Sequence, residues 1–131
     1  MTNKFMLRAI QEANKAYEKD EVPVGAVITH KEKIIAAAHN LRETLNLATA
    51  HAEILAIEKA CGVLGSWYLT ECDLYVTLEP CIMCAGAIIN SRVRSLYFGA
   101  YDPKAGACGS VVDVFRINQL NHRVTIYDGI M

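Results

Sequence analysis

His51-Ala52-Glu53, followed after 26 residues by Pro80-Cys81-Ile82-Met83-Cys84, is the feature that most restricts the folds open to this chain. One imidazole and two thiols make three of the four ligands of a tetrahedral zinc. A carboxylate two residues from the imidazole can move protons at whatever fills the fourth position. A closed structural site would show a fourth Cys or His at similar spacing, and none stands next to either half. The fold must therefore bring two short, distant segments to one ion, and the open position points to chemistry.

Each half carries its own geometric demand. Pro80 lacks an N–H and has a fixed φ, so it is predicted at the first position of a helix, with Cys81 and Cys84 on one face of the first turn. The unpaired N–H groups and positive dipole end of that turn favour thiolates, the form that binds metal. Residues two apart in a regular helix point about 200° from each other, so His51 and Glu53 cannot both be mid-helix and meet. His51 is expected at or just before the start of a helix running to about residue 64. Glu53 then falls inside its first turn, and Thr49 is a candidate cap.

Periodicity supplies the rest of the frame. Phe5, Met6, Ala9, Ile10, Ala13, Ala16 and Tyr17 recur at helical spacing, so the first helix is amphipathic and ends near Asp20. Residues 24–29 and 34–38 are β-prone and read as a hairpin. Strands are expected at 73–77, 93–98 and 123–127, with the Pro80 helix running to about residue 90. The order α-β-β-α-β-α-β-(α)-β predicts an α/β fold, a mixed five-stranded sheet flanked by helices. Loops leaving the strands would then place both metal half-sites along one sheet edge. The segment from Cys81 to Ile89 is apolar nearly all round, which implies burial on every side, either wholly by its own sheet and neighbours or on one side by a second subunit.

Composition agrees. A chain of 131 residues, 53% hydrophobic and 21% charged, suits one domain with a real core. No apolar run reaches the roughly 18 residues of a membrane span. The start Met1-Thr2-Asn3-Lys4 has no signal-peptide pattern, and five cysteines, an odd count, suit a reducing compartment. A cytoplasmic protein is expected. Cys61, Cys72 and Cys108 read as small core residues, and His30, His39 and His122 as solvent-facing or hydrogen-bonded side chains.

H-x-E followed by P-C-x-x-C is the signature of zinc-dependent nucleobase deaminases. Pro23-Val24-Gly25-Ala26-Val27, Asn40, the run from Thr77 to Ile89, Phe98-Gly99-Ala100-Tyr101-Asp102-Pro103-Lys104, Gly109-Ser110 and Leu120-Asn121-His122-Arg123-Val124 extend the match. Together they resemble the tRNA-specific adenosine deaminase family of the cytidine deaminase-like superfamily. The resemblance implies a three-layer cytidine deaminase-like domain over residues 1–131 with one zinc ion per subunit, held by His51, Cys81 and Cys84. It implies Glu53 as the proton carrier in deaminating adenosine to inosine at the wobble position of a tRNA anticodon, and a homodimer. It places Pro23, Val24, Asn40 and Ala52 around the base, and Asp102, Lys104, Asn121, His122 and Arg123 along the nucleic-acid groove. The family generally continues past its last strand into another helix, for which Asp128-Gly129-Ile130-Met131 offers no counterpart.

The zinc signature alone leaves the base open. A free nucleobase or nucleoside deaminase of guanine or cytosine type shares it, and so does a non-catalytic zinc- or RNA-binding subunit, which would be free to lose Glu53. A net charge of -1 provides no global attraction to a polyanion, so phosphate contacts must come from local residues such as Arg92, Arg94, Lys104, Arg116 and Arg123. A flipped base in an anticodon loop is a small target, read more by stacking and base edges than by blanket charge.

Overall fold

The hairpin predicted near the N-terminus sits at the side of the sheet that carries the site. In a computed structural model, which describes residues 3–130, strands β1 (Gly25–His30) and β2 (Lys33–His39) pair antiparallel. Met1, Thr2 and Met131, which enter the reading of the two ends, lie outside the described residues. The turn between the strands places Lys31 and Glu32 at φ 51° and 62°, the left-handed pair a two-residue hairpin turn needs. Strand β3 (Cys72–Leu78) pairs antiparallel with the other edge of β1. β4 (Ser95–Ala100) and β5 (Thr125–Tyr127) follow in parallel, so the sheet order is β2-β1-β3-β4-β5.

Side chains alternate across this sheet as a strand's period of two requires. Ala26, Ile28, Leu74, Val76, Leu96 and Phe98 face one core, and Val27 and Tyr75 face the other. The first core is covered by α3 (Ala52–Leu64) and α4 (Ile82–Asn90), the second by α1 (Lys4–Glu18), which makes three layers. A short helix, α2 (Arg42–Leu45), precedes α3 and was not foreseen. A 3-10 turn at Val114–Arg116 stands where a further helix was expected between β4 and β5.

Two caps differ from expectation. Pro80 lies one residue before the N-cap of α4, because its carbonyl accepts from Ala107 N–H at 2.8 Å while the carbonyl of Cys81 accepts the first intrahelical bond, from Ala85. Thr49 does not cap α3; His51 is the N-cap, extended at φ -79° and ψ 151°. α4 is also not buried on every side within one chain. Cys84, Ala85, Ile88 and Ile89 are buried, and Ile82 is 65% exposed.

Gly25 lets α1 rest directly on β1, since a Cβ there would stand 1.9 Å from the carbonyl oxygen of Ala9. A buried charge group fastens the same helix to β2. Glu12, 4% exposed, accepts from Lys15 at 2.9 Å, from Arg8, and from His39 Nδ1 at 2.8 Å. The Lys19 ammonium is 3.0 Å from His39 Nε2 and can only donate, so the imidazole carries its proton on the Nδ1 facing Glu12. Burial pushes the Glu12 carboxyl up, and the bonds from His39, Lys15 and Arg8 outweigh it, leaving it at about 2. A carboxyl lowered on folding contributes stability above its unfolded value of 4.5, and that contribution is lost as pH falls toward 2. Urea titrations should therefore find Glu12→Gln about 3 kcal/mol less stable than the parent at pH 7, with the gap closing between pH 4.5 and 2. A gap constant over that range would contradict this.

Candidate active site

β2 and β3 run the same way because each is antiparallel to β1. Their outgoing loops therefore leave one end of the sheet, two strand spacings apart, or about 10 Å. The loop after β2 leads to the N-cap of α3 and delivers His51; β3 leads directly to the N-cap of α4 and delivers Cys81. Cys84, one turn further and fully buried, points back to the same place.

His51 Nδ1 stands 3.7 Å from Cys81 Sγ and 3.5 Å from Cys84 Sγ. Nitrogen and sulfur bound to one tetrahedral zinc at roughly 2.0 and 2.3 Å stand about 3.5 Å apart, so these donors fit that ion. Among the described residues this is the group of His, Cys, Asp and Glu side chains that could hold a metal. A hydrogen bond from Cys84 holds the Cys81 thiol down at about 5, while donating that bond and burial push Cys84 up. One sulfur is thus ready as thiolate, and a cation displaces the proton of the other.

Glu53 lies in the first turn of α3 and is 4% exposed. Burial pushes its carboxyl up to about 7, with the nearby Cys81 sulfur adding to the rise. His51, Glu53 and Cys81 face a cleft of about 180 Å³ whose other walls include Val22, Val24, Asn40, Arg42, Glu79, Asp102 and Ala105. That is the liquid volume of roughly six waters, well below the ~300–1,000 Å³ of sites for larger ligands. Asn40, 5% exposed, accepts from Ala52 N–H at 2.8 Å through Oδ1, so its amide nitrogen remains as a donor for the cleft.

The structure gathers some of the expected substrate residues and not others. Val24, Asn40 and Asp102 line the cleft, Ala52 is buried behind Asn40, and Pro23 is exposed beside Val24. Asp102 Oδ1 accepts from Lys104 N–H at 3.0 Å, which shapes the turn carrying the exposed Lys104. Asn121, His122 and Arg123 lie at the opposite end of the sheet. His122 Nε2 is 2.7 Å from the carbonyl of Val93, and Arg123 donates to the carbonyls of Ile117 and Asn118. A strand parallel to β4 must start where β4 starts, so the segment before β5 returns to the end remote from the cleft. The length of six-residue β4, about 20 Å, separates the two ends. Arg92 and Arg94 precede β4 at that same end, Arg94 paired with Asp73 at 2.8 Å, and Arg116 pairs with Asp113 at 3.0 Å.

Besides Glu12, two buried carboxylates near the cleft escaped the sequence reading. Glu21, 5% exposed, accepts from Glu43 N–H at 3.1 Å and from the N–H and hydroxyl of Thr44, and so holds α2 and the wall with Arg42. Glu79 does the same for the opposite wall. Its one sequence signal is its place directly before Pro80-Cys81.

Residues 2–131 match the MafB19-like deaminase family. The tRNA-specific adenosine deaminase of Bacillus subtilis is 50% identical over 127 residues, 97% of this chain and 79% of the relative. A solved structure from work on A-to-I editing by tRNA:A34 deaminases at the wobble position of transfer RNA has a TM-score of 0.92 and 50% identity. It covers 95% of this chain and 96% of its own. The guanine deaminase of Bacillus subtilis has a TM-score of 0.73 at 42% identity, over 77% of this chain and 66% of that one. The likeness to the tRNA-specific enzymes runs over nearly the whole chain, and the chain belongs to the tRNA-specific adenosine deaminase family.

Proposed function

We propose that this chain converts adenosine to inosine at the wobble position of a tRNA anticodon, with one zinc ion per subunit held by His51, Cys81 and Cys84. The observation that carries this reading is the buried Glu53 carboxyl facing the same small cleft as His51 and Cys81. A cleft of about 180 Å³ admits a base and leaves the rest of a polynucleotide outside. When bound, zinc supplies a Lewis acid that brings the pKa of a water in its open position toward neutrality.

The chain's own residues handle the protons and the fit. Glu53 takes a proton from the attacking water and passes it to the ring nitrogen beside the amino-bearing carbon, which makes that carbon electrophilic. It then moves the second water proton to the amino group, and ammonia leaves. Adenosine and water give inosine and ammonia. Asn40 offers its amide N–H to the base, and Val24 packs against the ring. Cys81 and Cys84 as thiolates suit a reducing cytoplasm. Exposed Ile82 and the exposed Val111, Val112 and Ile117 on the neighbouring segment support association of two such domains as a homodimer.

The test is an assay of the zinc-loaded protein with an anticodon stem-loop carrying adenosine at the wobble position, against free adenosine, guanine and cytidine. Inosine in the stem-loop is expected. Deamination of free guanine alone would replace this reading with the one favoured by the guanine deaminase likeness. Inertness with zinc bound would leave a non-catalytic subunit.

A further inference from the structure

Glu79 lines the cleft and is 2% exposed, yet its acceptor capacity is spent on one loop. Oε1 accepts from Asp102 N–H at 3.0 Å and from the Ser110 hydroxyl; Oε2 accepts from Cys108 N–H at 2.9 Å and Ser110 N–H at 3.1 Å. A carboxylate has about four lone-pair sites, so these donors fill it. The loop also closes over the group, since a Cβ on Gly106 would lie 2.3 Å from the Glu79 carboxyl carbon. The carbonyl of the next residue, Pro80, takes Ala107 N–H at 2.8 Å. Between these ties the loop brings Asp102 and Ala105 to the cleft and holds Lys104 beside it.

We propose that Glu79 is a positioning residue: it sets the 101–110 loop as the outer wall of the cleft and so fixes how the substrate's flanking groups meet Asp102 and Lys104. Glu79, Pro80 and Cys81 then tie that wall and one metal ligand into a single tripeptide. With no lone pair left for substrate, Glu79 acts on binding and leaves the proton transfers to Glu53. The proposal rests on RNA being the substrate only for the identity of those flanking groups.

The experiment compares parent, Glu79→Gln, Glu79→Asp and Ser110→Ala as full-length, zinc-loaded proteins, with inosine formation on the stem-loop expressed per bound zinc. Gln turns an NH2 toward N–H donors, so KM should rise about tenfold or more while kcat per zinc stays within about threefold. Asp keeps the charge and should recover part of the loss. Ser110→Ala removes one donor and should raise KM by roughly threefold. Amide exchange at Asp102, Cys108 and Ser110 should lose protection in Glu79→Gln while β3 keeps its own. A purely structural role would lower kcat per chain at constant KM; that result, or unchanged exchange in the loop, overturns the proposal. Should Glu79→Gln not fold, Ser110→Ala decides through the same KM and exchange readings. Should the parent ignore the stem-loop, the functional reading falls, and the loop is judged by exchange and by KM for whichever base the parent deaminates.

Discussion

Glu53→Ala is expected to keep one zinc per chain and to lose turnover by about ten thousandfold or more. In the proposed reaction a lone carboxylate handles every proton transfer, and a single general acid–base contributes about 10² to 10⁴ for one of them. The protein should be no less stable for it. Glu53 is 4% exposed and its carboxyl is pushed up by burial, so removing it relieves an unfavourable desolvation. Metal analysis, a thermal melt and a single-turnover measurement of ammonia and inosine check the three parts separately. Ammonia release at the parental rate would end the assignment of Glu53.

The second large effect is on the metal. Cys84→Ala removes a fully buried donor from a set of three whose spacing fits tetrahedral zinc. Zinc content should fall below about a tenth of the parent's, and turnover by about a thousandfold or more, as expected when a protein ligand rather than an outer-shell partner is lost. Added zinc should raise the parent's melting temperature and leave the variant's unmoved. Full zinc occupancy in Cys84→Ala would mean that His51 and Cys81 have another partner.

The order of elements and the existence of the site were legible because each rests on a local pattern. Alternation marked the strands, and the geometry of residues two apart forced His51 to a helix edge, where it is the N-cap of α3. Cap positions were less legible. Pro80 is as well suited to the residue before a cap as to the first turn, and the bond from Ala107 that decides between them comes from a loop 27 positions away. Glu21 and Glu79 were hard to see for the same reason, because most of their partners are backbone N–H groups, which leave no trace in residue type. The remote position of Asn121, His122 and Arg123 follows from the parallel pairing of β4 and β5, and a sequence of strands does not state which way each one runs.

The contact at Gly25 also bears on how deaminases of this shape can come to differ in what they accept. With the backbone of α1 resting against Gly25, the chain beside the cleft-lining Val24 has a helix pressed behind it. That wall has no room to recede. A larger or differently shaped base has to be accommodated by the rim, where two loops hang on the carboxylates of Glu21 and Glu79. Breadth of substrate choice in this scaffold is therefore a property of its edges, and the depth of the cleft is common to whatever it admits.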